Sequence, residues 1–179
     1  MFVQTEITPN PNSLKFIPGK VVSSTGSFEV TKKDNVNNEL IRNILSINGV
    51  DGIFLGKDFI SVNKHEENSW DEIKHIVISH INEFYSSGKE FVIKEDLNEQ
   101  SDSFDEIEKR IVHLLEEKIR PAIARDGGDI KFKEFKDGVV KVQLQGSCSG
   151  CPSSTMTLKQ GVQNLLCHYL PEVKKVEAV

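Results

Sequence analysis

Apolar residues recur at helical spacing in the segment that begins near residue 103. The residues of this apolar face are Ile107, Ile111, Leu114, Leu115 and Ile119. Ser103 and Glu106 predict a capping box at the start, because a serine and a glutamate three residues apart can satisfy each other's free backbone N–H groups. Pro121 then ends or kinks the helix, since proline lacks an N–H and clashes with the preceding turn. The pattern therefore predicts one amphipathic helix that is interrupted at Pro121.

Alternation of apolar and polar residues replaces the helical pattern after RDGGD at 125–129, a sharp turn. IKFKEF and VVKVQLQ alternate on either side of Asp137-Gly138, which predicts a β-hairpin. The second strand runs directly into GSCSGC at 146–151. A helix follows this loop, and a short strand in EVKKVEAV ends the chain. The predicted order is α-β-β-α-β, with the CxxC loop between the second strand and the second helix.

The first half of the chain alternates short strands and helices. PNSLKFIPG predicts a strand, GVDGIFLGKDFISVNK predicts a hairpin that turns at 56–58, and FVI at 91–93 predicts a last strand. One helix is predicted over 36–47. A second is predicted from Ser69, with Glu72 completing a capping box, to Gly88. The apolar face of this second helix consists of Ile73, Ile76, Val77, Ile81 and Phe84.

A polar, acidic stretch without periodicity separates the two halves and is interpreted as a linker. The predicted fold class is therefore α+β, with two small α+β domains. Their limits are 1–97 for the first domain, 98–104 for the linker and 105–179 for the second domain. In the first domain, TPNPNS at 8–13 is interpreted as polar turn sequence. Partner recognition or modulation of dimerisation by this domain remains an open alternative.

Composition and charge narrow the class of protein. The chain has 179 residues, 37% hydrophobic and 27% charged residues, and a net charge of −5, which is typical of a globular protein and argues against a nucleic-acid-binding surface. No apolar run reaches the roughly 20 residues of a membrane span. The N-terminal sequence shows no pattern of a secretory signal or transit peptide. We therefore expect the protein to be located in the bacterial cytoplasm, or in the mitochondrial matrix if it is a processed organellar form.

The candidate chemistry lies in GSCSGCPSS at 146–154, where Cys148 and Cys151 stand two residues apart. Gly146 and Gly150 allow a tight turn, and Pro152 suits the first turn of a helix. The two thiols are thus predicted at or just before a helix N-terminus. The helix dipole and free N–H groups there favour the thiolate, which binds metal or attacks a disulfide.

A four-thiolate metal site needs two further ligands, and the chain has one other cysteine, Cys167. At 100° per residue, Cys167 falls on the side of the predicted helix opposite its apolar face, and it lies roughly 20 Å along the axis from the helix start. Cys167 and His168 are therefore poor candidates for third and fourth ligands. We interpret Cys167 as a surface or subunit-edge thiol without a role. The apolar face itself consists of Leu158, Val162, Leu165, Leu166 and Tyr169.

Three uses of the Cys148–Cys151 pair remain. Two copies of the chain can meet at the loop, so that a twofold axis supplies four thiolates to an iron–sulfur cluster. The pair can instead act as a dithiol–disulfide redox centre, although a helix and a hairpin precede it here rather than the βαβ unit of a thioredoxin-like site. The third alternative is a structural zinc ion that bridges two chains.

The stretch from IRPAIARDGGD to GSCSGCPSSTMTLKQGV, within 119–166, closely resembles the C-terminal domain of NifU, the Nfu-type iron–sulfur scaffold. TEITPNPNSLKF at 5–16 resembles the start of the N-terminal domain that precedes this module in Nfu proteins. The two matches together cover nearly the whole chain. The chain lacks the additional cysteines of the nitrogen-fixation form of NifU, so it resembles the shorter Nfu type.

The resemblance implies a non-enzymatic scaffold and carrier. Such a protein forms a homodimer or a larger even oligomer and holds a [4Fe–4S] cluster, or alternatively a [2Fe–2S] cluster, between the CxxC motifs of two subunits. Cys148 and Cys151 are then the ligands. The implied partners are apo iron–sulfur proteins and cluster-assembly proteins.

Overall fold

The computed structural model of the chain describes residues 2–23, 27–32, 37–90, 104–147 and 152–179. The N-terminal half, residues 2–90, contains in chain order β1 (Gln4–Ile7), β2 (Ser13–Ile17), β3 (Phe28–Thr31), α1 (Glu39–Leu45), β4 (Val50–Leu55), β5 (Ile60–Lys64) and α2 (Trp70–Ser86). The described strands form one antiparallel sheet in the order β1-β2-β5-β4-β3. The predicted β4–β5 hairpin is confirmed, and it occupies the interior of this sheet.

The C-terminal half, residues 104–179, contains α3 (Glu106–Leu114), a π-helical turn (Leu115–Ile119), α4 (Arg120–Arg125), β6 (Gly128–Lys136), β7 (Val139–Gly146), α5 (Pro152–Tyr169) and β8 (Lys175–Ala178). Its described strands form a sheet in the order β6-β7-β8, with β6 antiparallel and β8 parallel to β7. The predicted α+β class and the order α-β-β-α-β are confirmed. The β6–β7 turn places Asp137 at φ 53° and Gly138 at φ 80°, as a type I′ hairpin turn requires.

Each half has its own hydrophobic core. In the N-terminal half, α1 and α2 bury Leu40, Ile44 and Val77 against the sheet. The C-terminal core consists of Ile111, Leu115, Ile123, Ile130, Val140, Val142, Leu144, Val162, Leu166, Leu170, Val173 and Val176. Separate cores agree with two domains, but the predicted limits near 97 and 105 adjoin residues 91–103, outside the described residues, and stay predictions.

Pro121 interrupts the first helix of the C-terminal half, as predicted. Before it the chain widens into a π-helical turn, in which the N–H of Arg120 donates to the carbonyl of Leu115. Proline at 121 cannot donate to a carbonyl of the preceding turn, and a π turn is a common way to accommodate such a defect. The helix then resumes as α4 and brings Arg120 towards β6.

Several local predictions need correction. The capping box of α3 is formed by Asp105 and Glu108, not by Glu106 with Ser103, which lies outside the described residues. Ile76 is 44% exposed, because α2 buries only the narrower stripe of Ile73, Val77, Ile81, Phe84 and Tyr85.

The helix predicted over 36–47 begins at Glu39, with the side chain of Asn38 as its N-cap. Val36 and the strand predicted at 91–93 lie outside the described residues. No helix among the described residues has the length and apolar character needed to cross a bilayer.

Candidate functional site

The predicted cysteine pair lies in the connection between β7 and α5. Cys148 and Cys151 fall outside the described residues, so their role as ligands stays a prediction. The structure does describe the chain on either side: β7 ends at Gly146, Ser147 follows, and α5 begins at Pro152. The predicted place of the loop between the second strand and the second helix of this half is confirmed.

Ser147, the residue before Cys148, is fixed by three hydrogen bonds. Its N–H donates to the carbonyl of Gly127 at 3.2 Å, and its hydroxyl donates to the carbonyl of Asp126. Its own carbonyl accepts from the side-chain amide of Asn10 at 3.2 Å. Ser147 is 2% exposed. The main chain is therefore held firmly at the last residue before the first cysteine.

Two glycines make this geometry possible. Gly127 and Gly146 have φ of 78° and 69°, in the left-handed region that glycine adopts without a steric penalty. Gly146 pairs with Gly128 in the last register position of the β6–β7 hairpin. We call residues 126–129 and 145–147 the open end of the hairpin. It lies opposite the Asp137-Gly138 turn.

Four hydrogen bonds between described residues join the N-terminal half to this open end. The first is the bond from the Asn10 amide to the carbonyl of Ser147. In the second, the Ser61 hydroxyl donates to the carbonyl of Gly127 at 2.8 Å. The N–H of Gly146 donates to the Glu29 carboxylate at 3.4 Å. The Ser27 hydroxyl donates to the carboxylate of Asp129. The two halves thus meet next to the cysteine loop.

Asp129 is the central charged group of this contact. Arg120 donates two hydrogen bonds to its carboxylate, from Nε at 2.9 Å and from an Nη at 2.8 Å. The N–H of Ile130 also donates to it, at 2.8 Å. The Asp129 side chain is 7% exposed, and a buried carboxylate needs such partners. The hydrogen bond to Asp129 raises the pKa of the Arg120 guanidinium.

A cavity of about 600 Å³ lies between the two halves beside Asp129. Phe54 and Phe59 line it from the N-terminal half, and Arg120 and Pro121 line it from the C-terminal half. The junction between the halves therefore combines buried hydrogen bonds with unfilled space.

The remaining cysteine is placed differently from its prediction as a surface thiol. Cys167 is half-buried and packs against the C-terminal core. Its Sγ donates to the carbonyl of Val173 at 3.2 Å. After α5 the chain turns back and covers the side of the helix that carries Cys167. Tyr169, which was predicted on the apolar face of this helix, is 46% exposed. Among the described residues no group of three or more His, Cys, Asp or Glu side chains could hold a metal ion.

Sequence reasoning missed the contact between the halves. Asn10 lies in TPNPNS, whose pattern predicts polar turn sequence, and Ser61 is fully buried in β5. The available signal was weak: a cluster of Asn and Pro, and a serine between Ile60 and Val62 in a predicted strand. Neither pattern indicates which distant carbonyl the side chain will reach.

Both halves of the chain match known protein families. Residues 111–177 match the family model of the NifU-like domain, and residues 3–88 match the model described as "Scaffold protein Nfu/NifU N terminal". A solution NMR structure of a NifU-like protein from Saccharomyces cerevisiae is similar at a TM-score of 0.49 and 27% identity, over 53% of this chain and 87% of that one.

Two curated proteins are similar along the entire chain. The human protein "NFU1 iron-sulfur cluster scaffold homolog, mitochondrial" is 45% identical over 100% of this chain and 72% of its own length. "NifU-like protein 4, mitochondrial" of Arabidopsis thaliana is 44% identical over 99% of this chain and 65% of its own length. The chain thus spans about two thirds of these relatives. With both of its halves matched, the chain belongs to the Nfu/NifU family of scaffold proteins.

Proposed function

We propose that the chain is an iron–sulfur cluster scaffold and carrier. Its cargo is a [4Fe–4S] cluster held between the Cys148–Cys151 pairs of two chains, and it passes this cluster to apo-proteins. In this role it is not an enzyme, because it binds and releases its cargo without converting a substrate. The family description and the name of the human relative support the scaffold role.

The cysteine inventory is the observation that carries the proposal. The chain has three cysteines, and Cys167 is half-buried against the C-terminal core, with its thiol donating to a carbonyl. One chain then offers two thiolates, whereas an iron–sulfur cluster commonly takes four. A second copy of the same pair completes the site.

Sharing between two chains suits a carrier. Separation of the chains removes half of the ligands at once, which gives the cluster a route to a recipient. A cluster with four ligands from one chain would lack that route. The proposed partners are therefore a second copy of this chain, cluster-assembly proteins that load it, and apo iron–sulfur proteins that receive the cluster.

The compartment is part of the proposal. The relatives from human and Arabidopsis are named as mitochondrial proteins, which supports the mitochondrial alternative over the bacterial cytoplasm. A reducing compartment also agrees with the small, odd number of cysteines in the chain, which is three.

Anaerobic reconstitution with iron and sulfide tests the function. We expect a brown dimer with about four iron and four sulfide per two chains, measured by absorption, iron and sulfide content and native mass. A colourless monomer that reduces disulfides would support the redox alternative instead. A colourless dimer that retains zinc would support the structural alternative.

Cys167→Ala should leave cluster binding unchanged. The substitution removes a weak S–H donor and a small part of the core contact, so we expect a loss of about 1 kcal/mol in the free energy of unfolding. Thermal unfolding measures this loss, and iron content after reconstitution measures binding. Loss of the cluster in this variant would show that Cys167 is a ligand and would contradict the two-chain site.

A further inference from the structure

The N-terminal half reaches to within one residue of the first cysteine. Asn10 donates to the carbonyl of Ser147 at 3.2 Å, and Cys148 is the next residue. That carbonyl belongs to the same peptide group as the N–H of Cys148. Any shift of Ser147 is thus transmitted directly to the residue that carries the thiol.

Ser61 contacts the other side of the open end of the hairpin, at Gly127, just before β6. Its hydroxyl donates to the carbonyl of Gly127 at 2.8 Å, and that carbonyl also accepts the N–H of Ser147 at 3.2 Å. Ser61 is 0% exposed and Asn10 is 9% exposed. Both hydrogen bonds are therefore shielded from water. Loss of either bond leaves a buried polar group without a partner, which is costly.

These contacts are specific hydrogen bonds between oriented groups, not a nonspecific association of two surfaces. Asn10 is itself oriented, because its Oδ1 accepts the N–H of Asn12 at 3.0 Å and its amide is then directed at Ser147. At Gly127 a side chain would not fit: a Cβ atom there would lie 2.7 Å from the Ser61 Oγ and 3.2 Å from a methyl carbon of Thr8. The backbone of one half and the polar side chains of the other are thus closely matched.

We propose that Asn10 and Ser61 are positioning residues for the cysteine pair, through which the N-terminal half sets how tightly the cluster is retained. This inference rests on the proposed cluster-carrier function. With both hydrogen bonds made, the main chain before Cys148 is fixed and the cluster is retained. Without the Asn10 bond, Ser147 loses one of its three hydrogen bonds. Without the Ser61 bond, the Gly127 carbonyl that accepts the N–H of Ser147 is held less firmly. In either case the cluster becomes more labile.

Asn10→Asp and Ser61→Ala test the two contacts separately. Asp at 10 keeps the size and the Oδ acceptor for Asn12 but points a carboxylate oxygen at the carbonyl of Ser147. Ala at 61 removes the donor to Gly127. The rate of cluster loss to excess EDTA, followed by absorption, should rise about threefold to tenfold in each variant, as expected for the loss of one hydrogen bond. The visible circular dichroism of the bound cluster should also change.

Two matched controls isolate the positioning effect. Asn12→Asp places the same charge in the same turn, where the Asn12 Oδ1 accepts from Lys64 at 3.0 Å within the N-terminal half. Ser13→Ala removes a buried hydroxyl that has no hydrogen-bond partner among the described residues. Both controls should lose cluster at the wild-type rate. Ser61→Thr, which keeps the hydroxyl, should restore the wild-type rate and spectrum.

The outcomes separate this inference from the proposed function. If the wild-type protein binds no cluster, the proposed function fails first. If it binds cluster and both test variants, folded by far-ultraviolet circular dichroism, match its loss rate and its cluster spectrum, the positioning role is wrong. Equal acceleration in the test variants and the controls would also contradict it, since a merely structural effect is then sufficient. The two variants alter different elements, the turn between β1 and β2 and the strand β5, so one folded variant is enough for the comparison.

Discussion

Replacing Cys148 by alanine should abolish cluster binding, and replacing Cys151 should do the same. In a two-chain site each substitution removes two of the four thiolates at once, because both chains carry the change. Iron content and visible absorption after anaerobic reconstitution should fall to the level of protein treated without sulfide. If the cluster alone joins the two chains, the variants should also be monomeric.

The control for this experiment is Cys167→Ala, which removes the third thiol and should keep the cluster. Far-ultraviolet circular dichroism should show that all three variants are folded, since none of them changes a buried residue of the two described cores. A Cys148 variant that still binds about four iron per two chains would require other ligands, and the proposed site would be wrong.

Replacing Gly146 by alanine should strongly destabilise the C-terminal half. Gly146 has φ of 69°, where an L-residue costs about 1–2 kcal/mol. A Cβ atom would also lie 2.6 Å from the carbonyl oxygen of Gly127 and 3.0 Å from Cγ of Phe54. Forced overpacking of this kind costs about 1–3 kcal/mol. Together the free energy of unfolding should fall by about 2–5 kcal/mol, measured by denaturant unfolding.

Two other glycines serve as controls for the Gly146 prediction. Gly88 has φ of 74° but open space around a Cβ position, so alanine there should show the strain of the backbone alone, about 1 kcal/mol. Gly161 lies within α5 with open space and no positive φ, so alanine there should stabilise the helix by about 1 kcal/mol. Equal effects at 146 and 88 would show that the contact with Gly127 and Phe54 carries no cost.

Elements with local signals were predicted well from the sequence. The β6–β7 hairpin follows from alternation around Asp137-Gly138, and α2 follows from its apolar face and the N-cap Ser69, which accepts the N–H of Asp71. Both signals act over a few residues. They therefore survive in a single sequence without information on distant contacts.

Elements that depend on a distant partner were missed. β1 and β3 are strands of four residues each, and β1 is largely exposed. Neither carries a clear alternation of its own. They become strands by pairing with β2 and β4. Cys167 was misplaced for a related reason: helical geometry gives its direction but not the returning chain at Val173 that covers it.

The sequence by itself determined the family resemblance, the α-β-β-α-β order and the number of thiols. Motif and periodicity are properties of neighbouring residues, and composition is a count along the chain, so none of them depends on tertiary contacts. Only the tertiary structure decided what surrounds the cysteine loop. Asn10 and Ser61 lie 137 and 66 residues from Ser147 and Gly127 in the chain. Such contacts form because two folded halves bring complementary donors and carbonyls together, and no local pattern encodes that meeting.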